Sequence, residues 1–406
     1  MDTALDGLRI IDLTSGIAGP LCTKLLGDIG ADVIKIENPR GGDDSRNTGP
    51  FFKDDPHPEK SLLFFYLNCN KKSITLDLQT SNGKKILNQL LKTADVLVED
   101  YSPGYLEQLG FGYEEIRKIN PGLVMTSITP FGQTGPYRDY QGSDLIYYAM
   151  SGIQYASGAY DREPLKHGHP QSLYMAGLSA GYATLAAVYF KLMSGNGQHI
   201  DLSIMEVIAS HYIDTTLRYS YAGLIESRTP KQNGGSFKGT GFDGIVPVSD
   251  GFISPTIQRG RQQGKFSEFA KFLGAPEINN PKFESKDLRN LHARELDAAI
   301  LPVLKTWKKM DYFEAAAEDG WIVGLVQTSE ELTESVQLHE RGYFVEVDHP
   351  IIGKIKYPGD YLGLTGSPWS LRMPAPLLGQ HNEAILCQQL GYSKKDLVRL
   401  RGLGAI

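Results

Sequence analysis

Residues 8–37 read LRIIDLTSGIAGPLCTKLLGDIGADVIKIE. Positions 8–13 form a short, mostly apolar run, as expected of a strand covered on both faces. The turn TSGIAGP follows, then a helical stretch over 21–29 that stops at Gly30, and a second apolar strand over 31–37. Strand, short crossover helix and second strand predict a parallel sheet. Working outward, the same rhythm returns: a strand over 74–78 (ITLDL), a helix over 82–93, strands over 94–100 (ADVLVED) and 123–128 (LVMTSI), and helical sequence from Asp144. The stretch 195–207, GNGQHIDLSIMEV, reads as turn, strand and helix start. The fold class is α/β.

The texture changes over 228–240, RTPKQNGGSFKGT, which reads as a linker or exposed loop. A smaller α+β unit follows, with a strand pair around Asp250-Gly251 and the amphipathic helix ELDAAILPVLKTW. Short strands over 343–347 and 353–357, a Pro-rich passage and a last helix close the chain. The expected organisation is a large domain from 1–225, a small domain from 226–330, and a return to the large domain over 331–406.

Composition narrows the function classes. The 406 residues carry 41 Lys+Arg against 47 Asp+Glu, with 41% hydrophobic and 22% charged residues, an ordinary globular balance. No basic block marks a nucleic-acid or anionic-membrane surface. Three scattered cysteines without a CxxC exclude a disulfide scaffold and a structural zinc site, and fit a reducing cytoplasm. The start, MDTALDGLRI, lacks the pattern of a signal peptide. Residues 175–193, MAGLSAGYATLAAVYFKLM, are long enough to span a bilayer. Ser179, Tyr182, Thr184 and Lys191 interrupt them, so a buried core helix is expected.

The local motifs are modest. The loop from Gly16 to Pro20 sits where a phosphate can meet helix N–H groups, yet matches neither a dinucleotide fingerprint nor a Walker loop. Gly41-Gly42-Asp43-Asp44 lacks the alternating ligands of a calcium loop and reads as an exposed turn. His167 and His169 have no third ligand nearby and read as a solvated loop; no metal site is expected.

Taken in order, LDGLRIIDLTSGIAGP, GADVIKIENPRGGDDSR, LNCNKKSITLDL, VEDYSPGYLEQLGFGYEEI, TPFGQTGPYRDYQGSD, GNGQHIDLSIME, RGYFVEVDHPIIG and APLLGQHNEAILCQQLGY resemble the class III CoA-transferases. That superfamily includes formyl-CoA transferase, carnitine-CoA transferase and 2-methylacyl-CoA racemase. The resemblance implies a Rossmann-like large domain built from both termini, a smaller α+β domain, and two chains interlocked as an obligate dimer. It implies CoA or an acyl-CoA as substrate and no permanently bound cofactor. It also implies chemistry by one Asp carboxylate. The carboxylate attacks the donor thioester to give a mixed anhydride; the released CoA thiolate attacks that anhydride to give an aspartyl-CoA thioester; the acceptor acid then takes over the CoA.

In the family that Asp opens a D-x-x-A-G helix about thirty residues after the acidic position here held by Asp144. Counting back from Ala176-Gly177 puts Leu173 in the nucleophile slot. Leucine offers a thioester no lone pair, so no catalytic residue is expected in this chain; Asp161 and Glu163 are the substitutes within reach. The resemblance assigns CoA contacts to Ile17, Ala18, Arg40, Lys71, Lys72, Tyr101, Gln108, Leu109 and Gln141. Asn38 stands where a basic residue often follows the VIKIE strand, and Asp100 replaces an Asn near the pantetheine. A glycine-rich loop falls at 258–264, where Arg259 and Arg261 add bulk and charge. The expected role is a catalytically silent subunit paired with an Asp-bearing homologue, as in heteromeric succinyl-CoA:(R)-benzylsuccinate CoA-transferase. The alternatives are a self-sufficient homodimer and a non-catalytic acyl-CoA-binding protein.

Overall fold

The computed structural model describes residues 3–158, 162–211, 213–225, 228, 245–259 and 262–406. The chain divides into two compact units. The first joins Met1–Gly158, Pro164–Glu226 and His339–Ile406, so it contains both ends of the chain; the second joins Ala159–Glu163 and Ser227–Leu338.

The first unit is built on six parallel strands: β1 (Arg9–Leu13), β2 (Asp32–Glu37), β3 (Lys71–Thr75), β4 (Val96–Glu99), β5 (Val124–Thr129) and β6 (His199–Ser203). Their order is β3-β2-β1-β4-β5-β6, and the direction of winding reverses between β1 and β4. Such a reversal opens a crevice beyond the carboxyl ends of the strands, where open α/β sheets take their ligands. The helices are α1 (Ala18–Asp28), α2 (Leu62–Asn68), α3 (Ser81–Leu91), α4 (Tyr105–Leu109), α5 (Tyr113–Ile119), α6 (Asp144–Met150), α7 (Gln171–Ser194), α8 (Ile204–His211) and α9 (Ile213–Ala222). One apolar core lies on the α3 face of the sheet, around Ile34, Ile86, Leu90 and Leu97. The other lies under α1 and α7, around Ile10, Val33, Val98 and Ala180.

Glycine sets how closely α1 is held. A Cβ on Gly19 would stand 2.3 Å from Thr14, and one on Gly177 would stand 2.7 Å from the Ala18 carbonyl. The bare backbone therefore lets α1 lie against both its own entry loop and α7. Pro20 is tolerated in the first turn because its missing N–H has no intrahelical partner there.

Strand β3 begins earlier than the apolar pattern suggested. Pairing with β2 starts at Val33↔Lys71, because the Lys71 charge is neutralised inside and so does not end the strand. The outer edge of β3 is covered by the returning chain. His381 Nδ1 accepts from the Ser73 N–H (3.1 Å), and Asn382 Oδ1 accepts from the Thr75 N–H (2.9 Å). A capped edge cannot recruit a foreign strand.

The second unit has an antiparallel sheet of β7 (Val246–Val248), β8 (Gly251–Arg259), β9 (Gln262–Gln263) and β10 (Trp321–Val326). It packs with α10 (Phe266–Leu273), α11 (Lys286–Leu291), α12 (Ala293–Leu304) and α13 (Lys309–Glu318) around Phe269, Leu296, Ile300 and Trp321. Two short helices, α14 (Ser329–Thr333) and α15 (Val336–Glu340), lead back to the first unit. There β11 (Phe344–His349) pairs antiparallel with β12 (Gly353–Pro358), a π-helical segment spans Glu383–Gln389, and α16 (Lys394–Gly402) follows.

Helix α7 departs from the expected buried core helix. Its Ala176, Ala180, Thr184 and Val188 side is buried, while Tyr182, Tyr189, Leu192 and Met193 are 66–76% exposed. It is long and apolar enough to cross a membrane, with 44% of its most apolar window buried.

Candidate functional site at the strand ends

Beyond the carboxyl ends of β1 to β4 lies a cavity of about 250 Å³, bordered by Thr14, Ser15, Asn38, Asp44, Asp77 and Tyr101 among others. Two of its lining residues, Thr14 and Asp43, belong to a buried ionic cluster. Asp12 Oδ1 accepts from the Thr14 N–H and hydroxyl, and Asp12 Oδ2 accepts from Thr23 Oγ1 (2.6 Å) and Lys71 Nζ (3.0 Å). Lys35 Nζ donates to the Thr14 carbonyl (2.9 Å) and pairs with Asp43 (2.7 Å). Burial alone would raise the Asp12 carboxyl, but Lys35 and Lys71 hold it well below the carboxylate range. Burial would likewise lower the Lys35 ammonium, but Asp12 and Asp43 hold it above its ordinary value. For Lys71 burial wins, bringing its ammonium down to about 8 against the attraction of Asp12.

The entry to α1 is therefore closed from within. The Ser15 N–H donates to both oxygens of Asp100 (2.9 and 3.1 Å), and the Gly16 N–H donates to Asp43 Oδ1 (3.0 Å). These are the backbone groups that can otherwise cradle a phosphate. Burial pushes the Asp100 carboxyl well above its ordinary range, against the hydrogen bond from Ser15. Asp43, expected on an exposed turn, is 2% exposed; Arg46, close behind it, is fully buried against Glu37, Glu59 and the Pro376 carbonyl.

The residues the resemblance assigned to CoA separate into two groups. Ile17 is the residue before α1 and Ala18 opens it. Tyr101 lines the cavity, its ring 4.7 Å from that of Tyr105, with burial raising its phenol. Arg40 is exposed in the turn after β2, on the same edge of the sheet. Gln108 and Leu109 end α4, one exposed and the other packed on the core, and Gln141 is exposed in the loop before α6.

The two lysines need correction. All three Lys71 N–H bonds are spent internally, on Asp12, the Pro20 carbonyl and Asn68 Oδ1. Lys72 pairs with Asp32 (2.6 Å) at the starts of their strands, the edge opposite the cavity. Neither is placed for a phosphate at the strand ends.

Leu173 lies in the first turn of α7, half-buried, in the apolar cluster that also holds Ala18 and Ala176. A carboxylate does reach this helix end, from Asp144. Its Oδ1 accepts from the Ser172 N–H (3.1 Å) and hydroxyl (2.6 Å), and its Oδ2 pairs with Lys166 (2.8 Å). It acts as a borrowed cap, because Pro170 before the helix supplies none. Sequence spacing located Asp144 but not this task. Of the substitutes, Asp161 lies outside the described residues and Glu163 is exposed in the second unit. Arg259, expected in a loop over the site, ends β8; it donates to Asp319 (2.8 Å) and Glu268 (3.1 Å), with its guanidinium over the Trp321 ring. Arg261 is outside the described residues. His167 in the polar loop bonds the Tyr148 hydroxyl (3.0 Å), and among the described residues no group of three metal-ligating side chains occurs.

Residues 5–382 match the model of CoA-transferase family III, and the chain belongs to that family. It is 32% identical over 390 residues to the succinate–glutarate CoA-transferase of Agrobacterium fabrum, covering 95% of each chain. It is 29% identical to the BbsE subunit of succinyl-CoA:(R)-benzylsuccinate CoA-transferase from Thauera aromatica, covering 98% of this chain and 97% of the relative. In three dimensions it is similar to a CAIB/BAIF family protein from Brucella suis, with a TM-score of 0.84 at 29% identity, over 96% of this chain and all of that one.

Proposed function

We propose that this chain is the non-catalytic subunit of a heteromeric class III CoA-transferase. In this reading the enzyme moves CoA from succinyl-CoA to an organic acid such as an aryl-substituted succinate. The observation that carries it is Leu173 in the first turn of α7, beside an Asp144 whose oxygens are already committed to Ser172 and Lys166. A hydrocarbon side chain forms no anhydride, and a carboxylate that caps a helix and pairs with an ammonium is a poor nucleophile. A homologous, Asp-bearing chain then supplies the covalent step. The two units are read as the large and small domains of the family, and the partners as interlocked in the cytoplasm.

Two further features support the reading. The exposed apolar face of α7, with Tyr221 and Ile225 beyond it at 86% and 70% exposed, is of the kind a second chain covers. The Thauera aromatica relative is itself named as a subunit. The test is expression of the chain alone and together with an Asp-bearing homologue. Turnover is expected only from the pair, and is abolished by replacing the partner's Asp. Full transferase turnover by the single purified chain overturns the reading in favour of a self-sufficient enzyme. CoA-ester binding without turnover, even beside the partner, overturns it in favour of a binding protein.

A further inference from the structure

A second cavity, of about 310 Å³, opens in the first unit and shares no lining residue with the one at the strand ends. It is bordered by α1, α2, the start of α7 and the chain around β12. Leu173 and Tyr174 are neighbours with different surroundings: the leucine joins the core under α1, while the tyrosine faces this cavity.

Four phenols border it, Tyr66, Tyr174, Tyr343 and Tyr361. Among the described residues none of their hydroxyls donates or accepts a hydrogen bond; Tyr66, Tyr174 and Tyr343 are part-buried, while Tyr361 is exposed. Burial raises the Tyr66 phenol to about 12, and Tyr343, Asp28, Tyr174 and Tyr361 add to the shift, as oxygens facing a common space do. The Tyr174 and Tyr361 phenols are raised by burial as well.

Also on the lining is the buried Lys24–Asp28 pair. Asp28 is satisfied, taking Lys24 on one oxygen and Asn70 Nδ2 (2.8 Å) on the other. Among the described residues Lys24 gives one of its three protons to Asp28, and its ammonium lies 5.1 and 5.6 Å from the Tyr66 and Tyr357 ring centres. The rim carboxylate of Asp360 is turned to its own loop, accepting from the Leu362 and Gly363 N–H groups. Phenol hydroxyls and the Lys24 ammonium therefore border an apolar hollow formed by Leu21, Leu25 and Leu178. Groups so arranged fit an acceptor-rich head on an apolar body.

We propose that this cavity binds a small organic acid with an apolar body, its carboxylate taking the phenol hydroxyls and the Lys24 ammonium while its body lies against the leucines of α1 and α7. The site is separate from the strand-end cavity and does not depend on the transferase reading. The test is calorimetric titration of the purified full chain with phenylacetate in the absence of CoA. Phenethylammonium, of similar size and opposite charge, is the parallel arm. Phenylacetate is expected to bind saturably and phenethylammonium not to compete. Tyr174→Phe and Tyr361→Phe, which keep the ring and remove one donor, are each expected to weaken binding about tenfold. Leu178→Trp, on a half-exposed position where a larger side chain is tolerated, is expected to fill the space and abolish binding with the melting temperature kept. Absence of saturable binding overturns the proposal. So does equal or tighter binding of the ammonium, or phenylacetate affinity indifferent to the three substitutions.

Discussion

The entries to α1 and α7 face similar electrostatic problems and solve them differently. Each helix presents unpaired N–H groups and a positive dipole end, and beside each a carboxylate of the chain itself comes to rest. Around α1 the solution is deep and ionic: Asp12, Asp43, Lys35 and Lys71 are buried together, and the loop N–H groups are given to Asp43 and Asp100. At α7 it is shallow and largely apolar: Asp144 caps from the side, Lys166 balances it, and Leu173 fills the first turn. The comparison teaches that charge here is used for building. The α1 cluster ties the sheet to its first helix, and the α7 carboxylate holds a helix end.

If the α1 side is structural to this degree, Asp12→Ala should have the largest effect of any change discussed here. It leaves Lys35 and Lys71 buried with Asp43 and Glu37 as the remaining nearby carboxylates, and is expected to cost about 3–5 kcal/mol in urea unfolding. A loss below about 1 kcal/mol would break the contrast.

Glu99 sharpens the same side through pH. Burial raises its carboxyl to about 7, against hydrogen bonds from Ser127 and the Tyr101 N–H. The folded state therefore prefers the protonated acid. That preference is fully present below the ordinary value of 4.5 and is lost as the pH rises through about 7. Glu99→Gln, which mimics the protonated form, should stabilise by about 2 kcal/mol at pH 8 and by little at pH 4. Equal effects at both pH values would contradict the burial argument.

The smallest effect belongs to α7. Asp144→Asn keeps a capping oxygen but loses the charge that meets Ser172 and Lys166, and should cost about 1 kcal/mol. A loss as large as that of Asp12→Ala would show the two helix entries to be alike after all.

Much of this was legible in the sequence, for identifiable reasons. The strand–helix–strand rhythm of residues 8–37 survives folding because apolar period and turn glycines act locally. Spacing back from Ala176-Gly177 put Leu173 at the start of a helix, and it lies in the first turn of α7. What failed depended on distant partners. GGDDSR reads as a solvated turn, yet Arg46 is buried against a carbonyl 330 residues away. Lys71 and Lys72 look equivalent, but strand alternation sends one into the ionic cluster and the other to the opposite face, where it pairs with Asp32. The exposed side of α7 was missed because an all-round apolar helix carries no face preference. No local pattern announces a cavity assembled from tyrosines at positions 66, 174, 343 and 361.

The central claim is that this polypeptide carries no carboxylate able to form the aspartyl-CoA link. Intact-mass spectrometry of the chain alone after incubation with succinyl-CoA, followed by peptide mapping, tests it directly. The account predicts an unmodified chain, with a hydroxylamine-sensitive CoA adduct appearing only on an added Asp-bearing partner. A CoA thioester mapped to any Asp or Glu of this chain, Asp144 and Glu163 included, would contradict it.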